Sequence, residues 1–109
     1  MGYNRELENR IDKLLEKLGK IHKKTMFGGI GYLSQGNLCF GIYKESLVLR
    51  TSGEKAEALL KEEYVSPFNI TGRTMKGWVL VSPDRLRNEE QLLEILKLGF
   101  TYVSSLPRK

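Results

Sequence analysis

Apolar residues in the first part of the chain fall at Leu7, Ile11, Leu14, Leu15 and Leu18, a spacing that lines one stripe of a helix. The spacing predicts a helix over residues 4–18. Asn4 can accept a hydrogen bond from the first free amides, Glu6 and Glu8 favour the positive end, and Gly19 can take a positive φ and stop the helix. The period then shortens. Residues 21–27, 30–34, 38–43 and 47–51 are short, β-prone runs separated by turn residues. Gln35-Gly36-Asn37 and Lys44-Glu45-Ser46 are short enough for hairpins, so antiparallel neighbours are expected. Gly28 and Gly29 break the first run as a tight turn or a bulge, and at least one of them is expected to hold a positive φ. In the third run, strict alternation puts Leu38, Phe40 and Ile42 on one face and Cys39, Gly41 and Tyr43 on the other.

A second helix is expected from about residue 53 to 62, opened by a capping box of Thr51 and Glu54, with Ala56, Leu59 and Leu60 inward. Pro67 ends anything helical before it. Residues 68–70 read as a short extended piece and 74–81 as a strand, in which Met75, Gly77, Val79 and Val81 alternate with Lys76, Trp78 and Leu80. Asn88 and Gln91 mark the cap of a last helix. Its residues Leu92, Leu93, Ile95, Leu96, Phe100, Tyr102, Val103 and Leu106 cover a broad face, and Pro107 ends it. The fold class is therefore α/β, in the α+β sense. Two layers are expected, with a mainly antiparallel sheet of five or six strands flanked by helices. The order is helix, four strands, helix, one or two strands, helix, and one domain spans residues 1–109.

Composition sharpens this picture. Residues 26–43 hold five glycines and no charged residue in a chain that is 28% charged, which marks the centre of a sheet, a ligand loop, or both. The net charge is +5 and the pI near 9.4, a balance that suits a solvated face and also permits an acidic partner such as nucleic acid. Cys39 is the single cysteine, set between Leu38 and Phe40, where a thiol is usually a small apolar core residue. With no disulfide to form, no leader and no bilayer-length apolar run, a cytoplasmic location is expected and no membrane association.

The search for chemistry returns little. Gly31 and Gly36 have the spacing of a phosphate loop, but Asn37 and Leu38 stand where a lysine and a hydroxyl are needed. His22 and Cys39 are isolated, so no metal site and no cofactor is expected, and no base marks Cys39 as a nucleophile. Asp12 and Asp84 sit in polar helical or pre-helical positions, and the poverty of catalytic residue types argues against an enzyme. Lys20, Lys23, Lys24, Arg50, Arg73 and Lys76 form a candidate nucleic-acid patch, with Tyr32, Tyr43 or Trp78 available for stacking. If the helices pack on one side of the sheet, Tyr43, Val48, Trp78 and Leu80 form a candidate apolar interface for a protein partner or a homodimer. A third reading places a small-ligand pocket near Gly28–Gly31, lined by Phe27, Tyr32 and Trp78.

Read in order, several short motifs resemble the TfoX N-terminal domain family, the regulators of DNA-uptake competence. They are Lys24-Thr25-Met26-Phe27-Gly28-Gly29, the Gly36-Asn37 hairpin, Leu47-x-x-Arg50, Pro67-Phe68, Gly72-Arg73-x-Met75-Lys76-Gly77-Trp78 and Ser105-Leu106-Pro107-x-Lys109. The resemblance runs from about residue 3 to the end. It implies a two-layer α/β domain with an antiparallel sheet flanked by helices. It also implies a regulatory role without established catalytic residues. Longer members of the family carry a second, C-terminal helical domain and act with a cyclic-AMP-responsive activator at competence promoters; no second domain is expected here. The expectation is a non-enzymatic protein-interaction domain linked to transcription or DNA uptake. Direct nucleic-acid binding stands as the alternative, and a small-ligand binder or enzyme near Gly28–Gly31 as the third reading.

Overall fold

A computed structural model describes residues 2–26, 28–69 and 75–107. Among the described residues the chain runs α1 (Arg5–Leu14), β1 (His22–Met26), β2 (Gly29–Ser34), β3 (Asn37–Tyr43), β4 (Ser46–Arg50), α2 (Gly53–Leu59), β5 (Val65–Pro67), β6 (Trp78–Val81) and α3 (Glu89–Ser104). The expectations for Phe27, Ile70, Gly72, Arg73, Thr74 and Lys109 lie outside the described residues.

The helix signals act as their chemistry requires. The Asn4 side chain accepts from the Leu7 amide, and Leu7, Ile11 and Leu14 are buried on one stripe. The tail of the expected helix tightens into a 3-10 turn over Leu15–Lys17. Asn88 accepts from the Gln91 amide and opens α3. At α2 the cap is Ser52, which accepts from the Lys55 amide, and not Thr51. Thr51 is occupied elsewhere: its amide donates to the Gly77 carbonyl and the residue is buried. This helix ends at Leu59, short of the expected residue 62.

The six strands form one sheet in the order β1-β2-β3-β4-β6-β5, and every described neighbouring pair is antiparallel. The three short connections make hairpins, two of them expected as such and the third, at Gly28, expected as a tight turn or a bulge. Gln35 and Gly36 turn with φ of 52° and 85°, and Lys44 with φ of 55°. In the β1–β2 hairpin Met26 faces Gly29, and Gly28 holds φ of 77°. Gly29 is small for a different reason, because a Cβ there would strike the Ile42 carbonyl of β3.

Register assigns the two faces of the sheet. Ile30, Tyr32, Phe40, Ile42, Leu47, Leu49, Val79, Val81 and Val65 share one face and pack in a single core with Leu7, Ile11 and Leu14 of α1, Ala56 and Leu59 of α2, and Leu92, Ile95, Leu96 and Val103 of α3. All three helices therefore lie against this face. The expected alternation in β3 fails at one point. Tyr32 faces Phe40, but Leu33 faces Leu38, so Cys39 is the extra residue of a β-bulge. The bulge inverts the alternation. Cys39 joins Phe40 in the helix-side core, and Leu38 turns to the opposite face, against Gly31.

The strand expected over 74–81 is ordered as β6 only from Trp78, after a turn at Lys76-Gly77. The extended piece before it sits three residues earlier than expected, at Val65–Pro67. Pro67 belongs to that strand rather than merely ending a helix. An edge strand tolerates the missing N–H, because among the described strands β5 has a neighbour on one side alone.

Candidate functional site

Lys23 of β1 points to the helix side and is held by α1. Its ammonium pairs with Glu8 and lies 3.0 Å from the Asp12 carboxylate. Tyr32 of β2 donates to the other Asp12 oxygen at 3.0 Å, and Tyr3 donates to Glu8 at 3.0 Å. This chain of groups fixes α1 over the first two strands. The hydrogen bond from Lys23 holds the Glu8 carboxyl below its ordinary range. Burial alone would lower the Lys23 ammonium, but Glu8 and Asp12 outweigh it and raise the group. Burial first, and then Asp12, push the Tyr32 phenol far up, so it acts as a neutral donor.

The opposite face is smaller and aromatic. Phe68, which follows β5, is buried there. It stacks on Trp78 at 6.0 Å and meets Tyr43 edge-on at 5.7 Å. Val48 beneath them is fully buried. The candidate interface of Tyr43, Val48, Trp78 and Leu80 thus reduces to three half-buried residues, since Val48 offers no surface. Sequence reasoning placed these four on one face correctly and missed Phe68, whose arrival depends on a non-local connection. Among the described residues the one large exposed apolar side chain is Tyr64, 41% exposed beside β5.

The candidate basic patch divides. Lys20, Lys23 and Lys24 gather at the β1 edge, with Lys23 on the helix face and Lys24 on the other. Arg50 ends β4, three strand spacings or about 14 Å away. Its guanidinium lies 5.5 Å from the Trp78 ring and 6.0 Å from the Tyr102 ring of α3, a pairing that only the fold reveals. Lys76 lies a further strand along, with its stem beside Gly53. Arg73 lies outside the described residues.

The pocket expected from Phe27, Tyr32 and Trp78 does not form from its described members. Tyr32 is fully buried on the helix face, while Trp78 lies on the other face, in β6. Strand alternation separates them whatever Phe27 does. Cys39 is fully buried, and burial pushes its thiol up to about 11, so it stays protonated and unreactive at neutral pH. No described helix is long and apolar enough to cross a membrane.

A six-stranded antiparallel sheet backed on one face by three helices defines a two-layer α/β domain, the architecture that the motif resemblance implies. The family model of the TfoX N-terminal domain matches residues 13–102, and the chain belongs to that family. No curated protein matches it.

Proposed function

We propose that this chain is a non-enzymatic regulatory domain that acts by docking a protein partner, in transcription or DNA-uptake control. Family membership carries the reading. The surface supports it. The β1 edge presents an exposed strand whose Lys24 forms no ion pair among the described residues, a feature suited to a peptide chain.

Direct nucleic-acid binding has less support. Lys23 is neutralised within the fold by Glu8 and Asp12, Arg50 is engaged with two rings, and Lys76 lies four strands from β1. A phosphate backbone needs several free cations along one track.

The test is capture of the tagged chain from its own host after mild crosslinking, with quantitative mass spectrometry. Retention on single- and double-stranded DNA columns is measured in parallel. The reading predicts one protein recovered in near-stoichiometric amount and weak DNA retention. Tight, strongly salt-dependent retention on DNA with no protein partner would contradict it.

A further inference from the structure

The sheet has two outer strands, and one of them is open. Among the described residues strand β1 pairs with β2 alone, and His22, Lys23, Lys24 and Thr25 are all exposed. Met26 and Gly29 flank a two-residue connection, so they form a pair that exchanges both backbone hydrogen bonds. Alternation then puts Lys24–Gly31 and His22–Leu33 in bonded pairs. It also turns the N–H and C=O groups of Lys23 and Thr25 outward. No described backbone group bonds them.

Charge distinguishes the two sides of this edge. Towards the helices, Lys23 meets two carboxylates, Glu8 and Asp12, so that side is neutral to acidic. Towards the opposite face stands Lys24, while Lys20 and His22 line a recess at the end of the strand with Phe100 and Ser104 of α3. Among the described residues none of these three forms an ion pair. An incoming strand therefore meets Lys24 on one side and the Glu8–Lys23–Asp12 cluster on the other.

We propose that β1 is the docking edge for an extended acidic segment of a partner protein, which adds to the sheet as a further strand. An acidic side chain of the visitor faces Lys24, and Lys20 lies beyond the end of the strand. Uncharged or basic side chains next to it in the visitor face Glu8 and Asp12. The proposal rests on the reading of this domain as a protein-docking module, and it names the chemistry of the partner. A second copy fits the edge less well. Antiparallel pairing of two β1 strands through Lys23 and Thr25 sets Lys24 directly against Lys24 of the other copy, in the close, non-bonded type of pair.

The probe is a capped nine-residue peptide alternating glutamate and threonine, titrated into the isotope-labelled chain and followed by amide NMR shifts. Controls are a lysine–threonine peptide and a peptide with its glutamates grouped at one end. The expected result is saturable binding of the alternating acidic peptide, with the largest shifts at Lys23 and Thr25. Thr25→Pro removes one outward N–H and no bond within the sheet; it should weaken the peptide about tenfold while leaving the remaining spectrum intact. Lys24→Glu should reverse the preference towards the lysine–threonine peptide. Any of four results would overturn the proposal: no binding at millimolar peptide, equal binding of the grouped peptide, insensitivity to Thr25→Pro, or shifts centred on Trp78. If the host partner is still captured by the Thr25→Pro chain, the docking reading stands and only the β1 assignment falls. If no partner is captured from the host at all, the docking reading itself fails.

Discussion

The two outer strands of this sheet are managed differently. Strand β5 is three residues long, ends in Pro67, and so gives a visiting strand little to pair with. Strand β1 is five residues long, contains no proline, and is blunted only by charge. Edges left open invite strand addition, and natural domains usually shorten, cover or charge them. Here one edge is shortened and the other is left long and basic. The difference teaches where the proposed partner would be received: on that proposal, the charge that guards β1 against its own copy is the same charge that selects an acidic visitor.

The comparison requires β1 to be held firmly from behind, so the largest predicted effect lies under it. Leu14→Ala should destabilise by about 2–5 kcal/mol, the range for truncating a buried leucine, because Leu14 belongs to the helix that covers the first strands. Lys13→Ala, on the exposed side, should stay within about 0.5 kcal/mol. Equal urea midpoints for the two would mean that α1 does not dock.

The second effect separates the two sides of β1 itself. Lys24→Pro removes an N–H from a bonded pair with Gly31 and leaves its partner carbonyl unmet, at a cost of about 1–3 kcal/mol. Thr25→Pro should cost well under that, since its amide faces out. Chemical denaturation of both variants checks the register directly. A reversed order would mean that the outward and inward groups are exchanged, and the docking edge with them.

The hairpin that leads into the edge offers a finer contrast. Gly29→Asn should cost about 1–3 kcal/mol, because any side chain there meets the Ile42 carbonyl. Gly28→Asn should cost less, since its surroundings are open and asparagine tolerates a positive φ. Thermal melting of the pair would expose an error if Gly28 proved the more sensitive.

Helices and hairpins were legible in the sequence because their signals are local. Asn4 and Asn88 cap by reaching three residues ahead, and the Gln35-Gly36 turn closes between strands adjacent in the chain. What could not be read there depends on partners distant in the chain. The bulge at Cys39 shows only when β2 and β3 are laid side by side. Ser52, not Thr51, caps α2, and the Thr51 amide that a capping box would give to Glu54 donates instead to Gly77, far along the chain. The lysine cluster was legible as composition, but not the pairing of Lys23 with Glu8 and Asp12, which spends one candidate cation inside the fold. Of the two candidate surfaces, the aromatic face was read from alternation and the cover supplied by Phe68 was not.

The smallest effect tests that inward pairing. Glu8 has its carboxyl lowered by the Lys23 hydrogen bond, so it contributes stability above its ordinary value near 4.5 and loses it as pH falls through the depressed value. Lys23 is raised, so its share is present below its ordinary value near 10.5 and fades as pH climbs through the raised one. The groups are partly exposed, and solvent screening keeps the total to about 1 kcal/mol or less. Glu8→Gln should flatten the acid limb of the stability–pH curve, read from urea midpoints between pH 3 and 7. An unchanged limb would show that Lys23 is not held by α1.

The most direct measurement places a photo-crosslinking amino acid at Lys24 in β1 and, separately, at Ser66 in β5, in the native host. Both positions are exposed, so reactivity alone does not favour either. The account predicts one discrete protein adduct from position 24, lost with Thr25→Pro, and none from position 66. Adducts with nucleic acid alone, or protein adducts from position 66 and not from 24, would contradict it.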